Sequence, residues 1–339
     1  MHPALLWRSL EEKNRVQCRL CSHYCRIEPG EFGRCGVRTN RDGTLYTLTY
    51  DRVAALNLDP IEKKPLFHFL PGSQSFSLGT MGCNLACSFC QNYTLSQSPK
   101  QSGRVSGEQA SPEQLAQAAD HYEAASISYT YSEPTVFFEL VRDTALAARE
   151  RGIKNVLVTN GFMTQDCLQE LGPLLDAANT DLKAFSEDFY EQCSGAKLKP
   201  VLNNLRTMKE LGWWLEVTTL IIPGLNDSEE ELENLVSFIV GDLGPETPWH
   251  ISRFHPTYRM TDRPSTPVQT LETAWNIGKR KGLHYVYLGN VPGHESESTV
   301  CPGCGETVIE RRGFALRRKN VKDGRCGSCG REIAGVGLG

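Results

Sequence analysis

The chain has 339 residues, with 36 Lys plus Arg against 40 Asp plus Glu, which gives a formal net charge of -4. Its hydrophobic fraction of 40% supplies enough apolar material for a sizeable core and excludes global disorder. The near-neutral charge argues against a nucleic-acid coat or a membrane-surface protein. No apolar run approaches the ~20 residues of a membrane-spanning helix, and the apolar stretch at the N-terminus is too short for a signal peptide. We therefore expect a cytoplasmic protein with no membrane partner.

The cysteines are unevenly distributed, because eleven of the thirteen fall into three tight groups. Thiols stay reduced in the cytosol, so such grouping indicates metal or redox chemistry rather than disulfides. The first group lies in residues 1–55, which we predict to be a metal-binding head that ends in a strand at residues 44–50. Its spacing is compatible with a zinc knuckle or an auxiliary iron–sulfur cluster, and because it differs from that of two-cluster ferredoxins we favour zinc. The four candidate ligands are Cys18, Cys21, Cys25 and Cys35.

Short β-rich runs alternate with helical segments through residues 56–295. Such alternation predicts a parallel sheet with crossover helices, and about six repeats favour a partial (β/α)6 TIM-type barrel of the α/β class. In barrels of this type, the chemistry lies at the C-terminal ends of the strands. The predicted strands cover residues 75–79, 126–131, 155–159, 179–183, 213–222, 249–254 and 285–288.

Three helix starts are recognisable between these strands. Ser111 precedes Pro and is followed three residues later by Gln, which is the pattern of a capping box. Thr266 begins a similar pattern, and Ser228 opens a helix predicted over residues 229–240. We expect all three side chains to cap their helices.

Residues 296–339 form a predicted C-terminal extension after a linker at residues 295–298. Two C-x2-C pairs in it provide four thiolates for a structural zinc ion, or for iron in a rubredoxin-like site. These candidate ligands are Cys301, Cys304, Cys326 and Cys329. The extension is basic, but we expect a solvated surface rather than a nucleic-acid site.

The third cysteine group directly follows the first strand of the alternating region. Cys83, Cys87 and Cys90 have the spacing C-x3-C-x2-C, and three thiolates on one loop can ligate three corners of a four-iron cluster. With no fourth cysteine nearby in sequence, one iron is open to the amine and carboxylate of an amino acid moiety. The alternative is a zinc site completed by His, although this spacing is unlike that of zinc knuckles.

This spacing, with the aromatic Phe89 before the last cysteine, resembles the signature of radical S-adenosylmethionine (SAM) enzymes. The following Gln91 and Asn92 resemble the pyruvate formate-lyase activating enzyme branch. Together with the motif at residues 59–68 and the paired cysteines of the C-terminal extension, the chain resembles the AmmeMemoRadiSam system radical SAM enzymes along nearly its whole length.

The resemblance implies an oxidoreductase with a partial TIM barrel, a [4Fe-4S] cluster and SAM. In this family the reduced cluster passes one electron to SAM, and the resulting 5′-deoxyadenosyl radical abstracts hydrogen from a substrate. The implied electron donor is a reduced flavodoxin or ferredoxin. Within the motif that holds the SAM amino group, this chain has Tyr131 and Ser132 in place of two glycines. The residues implied as SAM contacts are Phe89, Asn92, Ser132, Glu133, Asn160, Asp181, Lys183 and His255.

Two substrates remain open under this interpretation. One is a glycyl residue of a partner protein, as in glycyl radical enzyme activation. The other is a small molecule, handled together with the Memo-like and AMMECR-like proteins that the family name implies. A different class of function is a zinc-ribbon RNA- or DNA-binding protein with a scaffold barrel, which the net charge of -4 opposes.

Overall fold

The structure, a computed structural model, describes residues 1–10, 13–291 and 294–339, and all of these except the side chain of residue 295 are described in full. An eight-stranded sheet forms its centre. The strands lie side by side in chain order; the last seven are parallel, and the first is antiparallel to its neighbour. They are β1 (Ala55–Pro60), β2 (Gln74–Gly79), β3 (Ser126–Tyr129), β4 (Lys154–Thr159), β5 (Ala177–Asp181), β6 (Trp214–Ile221), β7 (Trp249–Arg253) and β8 (Val286–Gly289).

Each of the six connections between the parallel strands contains one longer helix, as strand–helix alternation predicts. Because β1 and β8 do not pair with each other among the described residues, the sheet order is consistent with the predicted partial barrel. The helices are α1 (Pro112–His121), α2 (Phe138–Glu150), α3 (Gln165–Leu171), α4 (Leu198–Glu210), α5 (Glu229–Phe238) and α6 (Val268–Arg280). Shorter helical turns cover Ile61–Lys63, Tyr93–Ser96, Ser98–Ser102, Pro134–Phe137, Glu187–Phe189, Tyr190–Ser194, Ile239–Leu243 and Glu295–Glu297.

Two of the three predicted helix caps are confirmed. Ser111 and Gln114 form a capping box at α1, and Ser228 Oγ accepts from the backbone N–H of Glu231 at 3.3 Å. The prediction for Thr266 is wrong, because its hydroxyl donates to the carbonyl of Ile221 at 2.6 Å instead of capping α6. Thr266 thus joins two loops at strand ends.

Strand β1 was absent from the sequence prediction. Its hydrophobic residues Leu56 and Leu58 are exposed, whereas the polar Asp59 is buried, so its sequence lacks the apolar-inward alternation of an ordinary edge strand. The strand nevertheless pairs with β2 over its whole length and adds an edge to the sheet.

Further along the segment that follows β1, Phe67 and His68 lie toward the opposite end of the sheet from the strand C-termini. The backbone N–H groups of Phe67 and His68 donate to the buried carboxylate of Glu216 at 3.0 and 2.8 Å. His250 bonds the same carboxylate at 2.6 Å. Burial alone would raise the pKa of Glu216, but His250 and the other donors hold it below its usual range. The carboxylate therefore stays charged and fixes this segment.

The N-terminal head and the C-terminal extension are built from small antiparallel sheets. Residues of the head share one hydrophobic core with the central sheet, whereas the extension has its own cluster, which includes Phe67 and Tyr287. The strands of the head and of the short sheet at residues 52–53 are His2–Pro3, Trp7–Leu10, Arg15–Cys18, Arg26–Ile27, Arg38–Arg41, Thr44–Thr47, Arg52–Val53 and Glu108–Gln109. Those of the extension are Thr299–Val300, Thr307–Arg312, Ala315–Lys319, Val321–Lys322 and Arg325–Cys326.

The junction with the C-terminal extension is more ordered than the predicted linker. Ser296 and Glu297 are buried in a helical turn. Arg311, expected on a solvated basic surface, is instead buried and paired with Glu62 at 3.4 Å. The domain limits at residues 55 and 295 stay predictions. In the described part of the chain, no helix has the length and apolar character needed to cross a membrane.

Gly278 in α6 provides a test of the packing between helix and sheet. A Cβ there would lie 2.9 Å from Val286 and 3.2 Å from Trp249, so we expect Gly278→Ala to lower the free energy of unfolding by about 1–3 kcal/mol through overpacking. Gly241→Ala is the matched control, because a Cβ at that helical position meets nothing within 4 Å. Denaturant unfolding of both variants measures the difference, and equal stabilities would contradict the packing described here.

Candidate functional site

A cavity of about 550 Å³ opens at the C-terminal ends of the parallel strands. Parallel strands end at the same edge of a sheet, so polar residues far apart in sequence meet there. Its walls contain the three cysteines of the central group and seven of the eight predicted SAM contacts: Cys83, Cys87, Cys90, Phe89, Asn92, Ser132, Glu133, Asn160, Asp181 and Lys183.

The loop that carries the three cysteines is fixed by Asn84. The side-chain amide of Asn84 donates to the carbonyl of Phe162 at 3.2 Å, and its oxygen accepts from the amide of Asn160 at 2.8 Å. His23 of the head bonds the backbone carbonyl of Asn84 at 2.8 Å. The loop is thus tied both to the end of β4 and to the head.

The three cysteines lie on the wall of the cavity, but not at the spacing of a single-ion site. In the described residues, only the group in the C-terminal extension brings its ligand atoms within 4.8 Å of one another. Burial raises the pKa of Cys83 and Cys87, so their thiolates need a compensating positive charge, which cluster irons supply. All three cysteines line the cavity formed at the strand ends.

Glu133 has two roles in the structure. It caps the helical turn Pro134–Phe137 through the N–H of Thr135, at 3.0 Å, which is the structural role its sequence position suggests. Its Oε1 also accepts from the hydroxyl of Thr159 at 2.7 Å, and its Oε2 from the N–H of Asn160 at 2.8 Å. Burial raises the pKa of Glu133 against these donors. Because Oε2 has one partner, it retains acceptor capacity on the cavity side.

Asp181 and Lys183 form an ion pair at the end of β5, with Nζ and Oδ2 2.7 Å apart. Burial would lower the pKa of Lys183, but Asp181 and the neighbouring Cys87 raise it above its usual range, so the ammonium stays charged. The same ammonium lies 5.9 Å from the ring centroid of Phe89. A fixed positive charge therefore stands beside the cysteine loop, where a carboxylate of a ligand can meet it.

Two further predicted SAM contacts, Asn92 and Ser132, differ in whether their side chains have a hydrogen-bond partner. Asn92 donates to the carbonyl of Tyr131 at 2.7 Å, which ties the cysteine loop to the end of β3. Ser132 Oγ is buried, lines the cavity and has no hydrogen-bond partner in the structure. Buried hydroxyl groups normally have a hydrogen-bond partner, so the unpaired Ser132 Oγ is suited to bind a polar group of a ligand such as SAM.

His255 is the one predicted SAM contact that does not line the cavity. Its ring is exposed, bonds Ser265 Oγ at 3.0 Å and does not line the cavity. The residue follows β7 by two positions, and the chain turns outward there. A lone histidine near a strand end was a weak signal, and we do not carry it into the proposal below.

Sequence reasoning missed a charged cluster on one wall of the cavity. Asp59 of β1 accepts from Lys63 at 2.8 Å, from Lys64 at 2.6 Å and from Tyr131 Oη at 2.5 Å. Lys64 is 2% exposed and its Nζ lies 4.6 Å from the centroid of the Tyr131 ring. Burial would raise the pKa of Asp59, but these three donors hold it well below its usual range. Two lysines thus share one carboxylate, while burial lowers the pKa of Lys64 against the effect of Asp59. The consecutive Lys63 and Lys64 were the sequence feature that could have indicated this cluster.

The four cysteines of the C-terminal extension form a compact site. Cys301 and Cys329 Sγ lie 3.6 Å apart, and Cys304 and Cys326 Sγ lie 3.8 Å apart. All four sulfur atoms fall within 4.8 Å of one another, which suits tetrahedral coordination of one ion. The site accommodates zinc or iron equally well.

The four cysteines of the head also converge, but not at single-ion spacing. The pairing of the strands Arg15–Cys18 and Arg26–Ile27 places Cys18 beside Cys25, and the N–H of Cys18 donates to the carbonyl of Cys25 at 2.9 Å. Within the described residues, which include all four, they form no group with sulfur atoms inside 4.8 Å. Cys167 lies buried in α3, as an ordinary helix residue.

Comparison with known proteins agrees with this geometry. The profile of the radical SAM superfamily matches residues 78–239. The uncharacterized protein MJ0808 of Methanocaldococcus jannaschii is 45% identical over 335 residues, covering 98% of this chain and 99% of that protein. The chain belongs to the radical SAM superfamily.

Two more distant similarities are informative. MJ1632 of the same organism, named a glycyl-radical enzyme activating enzyme, is 26% identical over 171 residues, covering 49% of this chain and 63% of that protein. The crystal structure of Streptococcus suis SuiB bound to precursor peptide SuiA has a TM-score of 0.51 at 14% identity, covering 69% of this chain and 52% of that one. The second similarity shows the fold alone.

Lys183 provides a test of the binding site. If its ammonium meets the SAM carboxylate, Lys183→Met raises the Kd for SAM by about 10–100-fold, since a hydrogen bond to a charged group contributes about 1.5–3 kcal/mol. Equilibrium dialysis with anaerobically reconstituted protein measures the Kd. The exposed Lys199→Met is the control and should bind SAM as the wild type does. An unchanged Kd for Lys183→Met would remove this residue from the site.

Proposed function

We propose that this protein is a radical SAM oxidoreductase that reductively cleaves SAM at a [4Fe-4S] cluster on Cys83, Cys87 and Cys90. When bound, the reduced cluster supplies the electron that breaks the S–C5′ bond, giving a 5′-deoxyadenosyl radical that abstracts hydrogen from a substrate. The observation that carries the proposal is the cavity, which gathers the three cysteines with charged and amide groups from the ends of β3, β4 and β5.

The chain's own residues supply binding and orientation in this proposal. Glu133 accepts from the SAM ammonium, and Lys183 donates to the carboxylate, so the two charges of the methionyl moiety meet opposite charges. Asp181 accepts from the ribose hydroxyls. Phe89 and the buried wall of the cavity exclude water from the reacting bond. Asn160 holds the loop of the cysteines through Asn84.

The first candidate substrate is a glycyl residue of a partner protein. The naming of MJ1632 as a glycyl-radical enzyme activating enzyme supports it. In that case the chain is an activating enzyme of the pyruvate formate-lyase type, and its partner is a glycyl radical enzyme whose loop enters the cavity.

The second candidate is a small anionic molecule, favoured by the cluster on the cavity wall. Lys63 and Lys64 share the single carboxylate of Asp59, so one positive charge lacks a counterion among these groups. A carboxylate or phosphate group on the substrate would neutralise it. This candidate accords with the AmmeMemoRadiSam resemblance, and Memo-like and AMMECR-like proteins are then the proposed partners.

The remaining proposals concern the cellular setting. A reduced flavodoxin or ferredoxin is the proposed electron donor, and the cytoplasm is the proposed location. The zinc-ribbon nucleic-acid alternative is disfavoured by the formal net charge of -4.

Replacement of Cys87 tests the assignment of the cluster. We expect Cys87→Ala to abolish 5′-deoxyadenosine formation from SAM and dithionite, because two thiolates do not hold the cluster. The metal of the C-terminal extension should remain. Product is measured by chromatography, and zinc and iron by elemental analysis, on protein prepared without oxygen.

The matched control is Cys193→Ala, since Cys193 is half-buried and lies outside the three groups. It should cleave SAM at the wild-type rate. Full cleavage by Cys87→Ala would disprove the cluster assignment.

Lys64 distinguishes the two candidate substrates. For a small anionic substrate, a small-molecule filtrate of cell extract stimulates 5′-deoxyadenosine formation by the wild type. In Lys64→Met this stimulation falls by about 10–100-fold, because one charged hydrogen bond is lost. The Kd for SAM should stay unchanged. Stimulation by a protein fraction alone, and equally in both proteins, would favour the glycyl substrate.

A further inference from the structure

We propose that Cys18, Cys21, Cys25 and Cys35 hold a second iron–sulfur cluster, which relays electrons to the cluster of the cavity. The relay rests on the proposed function, because it needs an electron acceptor at Cys83, Cys87 and Cys90. The presence of the second cluster does not rest on it, and the two are tested separately below.

The four thiols of the head share one buried region. Cys18 and Cys35 are 7% and 9% exposed, and Cys21 and Cys25 are partly buried. Burial raises the pKa of Cys21, Cys25 and Cys35, and the neighbouring thiolates raise it further. Cys18 and Cys35 belong to one hydrophobic cluster against which Cys25 packs, and the N–H of Cys18 donates to the carbonyl of Cys25 at 2.9 Å. The thiols of the head therefore lie near one another.

The spacing of these thiols differs from that of the C-terminal extension. There, four sulfur atoms lie within 4.8 Å of one another, which suits one ion with Zn–S bonds of about 2.3 Å. All four head cysteines are among the described residues, but their sulfur atoms do not form a group within this distance of one another. The same holds for the sulfur atoms of Cys83, Cys87 and Cys90. A [4Fe-4S] cluster holds its cysteine sulfurs farther apart than one ion does, because its irons and sulfides lie between them.

A buried arginine favours negative charge at the head centre. Arg38 is 1% exposed, and its Nη1 donates to Cys18 Sγ at 3.3 Å. The guanidinium also forms an ion pair with the buried Glu139, while its Nε has no partner in the structure. Hydrogen bonds and positive charge near cluster sulfurs tune reduction potentials. Arg38 is thus placed to stabilise the negative charge of a centre held by four thiolates, and this charge increases when an iron–sulfur cluster is reduced, whereas it does not change at zinc.

The head lies directly against the loop of the cavity cysteines. A Cβ on Gly82, the residue before Cys83, would lie 2.6 Å from Val37 Cγ1 and 3.2 Å from the carbonyl of Cys35. Only glycine, with φ +103°, permits this approach. The backbone just before Cys83 therefore packs directly against residues 35–37 of the head.

One hydrogen bond links the two groups of ligands. His23 lies two residues after Cys21, and its Nε2 bonds the carbonyl of Asn84, the residue after Cys83, at 2.8 Å. A path from one cysteine to the other therefore follows covalent bonds except for this single contact. Cys21 also forms a β-bridge with Met163, which follows the Asn160 turn, so the head is held from both sides.

The redox step balances with one named external donor. A low-potential one-electron carrier protein, such as a reduced flavodoxin or ferredoxin, gives one electron to the head cluster and takes it from [4Fe-4S]²⁺ to [4Fe-4S]⁺. The same electron then passes to the cavity cluster, and the head cluster returns to its oxidised form. No proton moves and no bond breaks in the relay.

The metal content of matched variants tests the cluster. All proteins are reconstituted without oxygen, and iron, acid-labile sulfide and zinc are measured. In the variant with Cys83→Ala, Cys87→Ala and Cys90→Ala, we expect about four irons with sulfide to remain, together with an electron paramagnetic resonance signal after dithionite reduction. Zinc without sulfide in this variant, or no metal in the folded protein, would overturn the proposal.

A second variant removes one proposed ligand of the head cluster and leaves the cavity cysteines intact. Cys25→Ser, at a partly buried position, should lose the head signal and its iron while the cavity cluster remains. With dithionite, which reduces clusters directly, this variant should still cleave SAM, whereas cleavage supported by reduced flavodoxin should be lost. Flavodoxin-supported cleavage equal to the wild type would overturn the relay. Failure of the proposed function is different, because it appears as absent SAM cleavage in the wild type itself.

Discussion

Asn84 holds together the three parts of the molecule on which the chemistry depends. Its side chain bonds Phe162 and Asn160 at the end of β4, and its backbone carbonyl accepts from His23 of the head. At 3% exposed, it makes these bonds out of reach of bulk water, where each lost partner leaves an unsatisfied polar group. The positions of the cysteine loop, the strand end and the head are therefore coupled, and none of them can shift alone.

The charged side chains at the cavity form short ion pairs and can still bind a charged group of a ligand. The pair of Asp181 and Lys183 and the cluster of Asp59, Lys63 and Lys64 lie on different parts of the wall. Because the parallel sheet places its strand ends at one edge, residues from widely separated stretches of sequence line one cavity. At its other end, the same sheet uses the buried carboxylate of Glu216 to hold Phe67 and His68.

Much of this arrangement follows from the sequence, because strand–helix alternation, capping patterns and cysteine spacing are local signals. Seven parallel strands, the α1 cap and the single-ion spacing of the C-terminal cysteines were predicted in this way. Strand β1 was missed because its apolar residues face outward, and the Asp59 cluster was missed with it. Thr266 carried a plausible local pattern, but its hydroxyl bonds the carbonyl of Ile221 in another loop, which only the fold brings near. His255 instead bonds Ser265 within its own loop, on the exposed side.

The central claim is that the cavity cysteines support reductive cleavage of SAM, and one measurement addresses it directly. Wild-type protein, reconstituted without oxygen and reduced with dithionite, is incubated with SAM, and 5′-deoxyadenosine and methionine are quantified together. The structure predicts that both products appear in equal amounts and only after reduction. Protein that contains iron and sulfide, binds SAM and yet releases neither product would contradict the account.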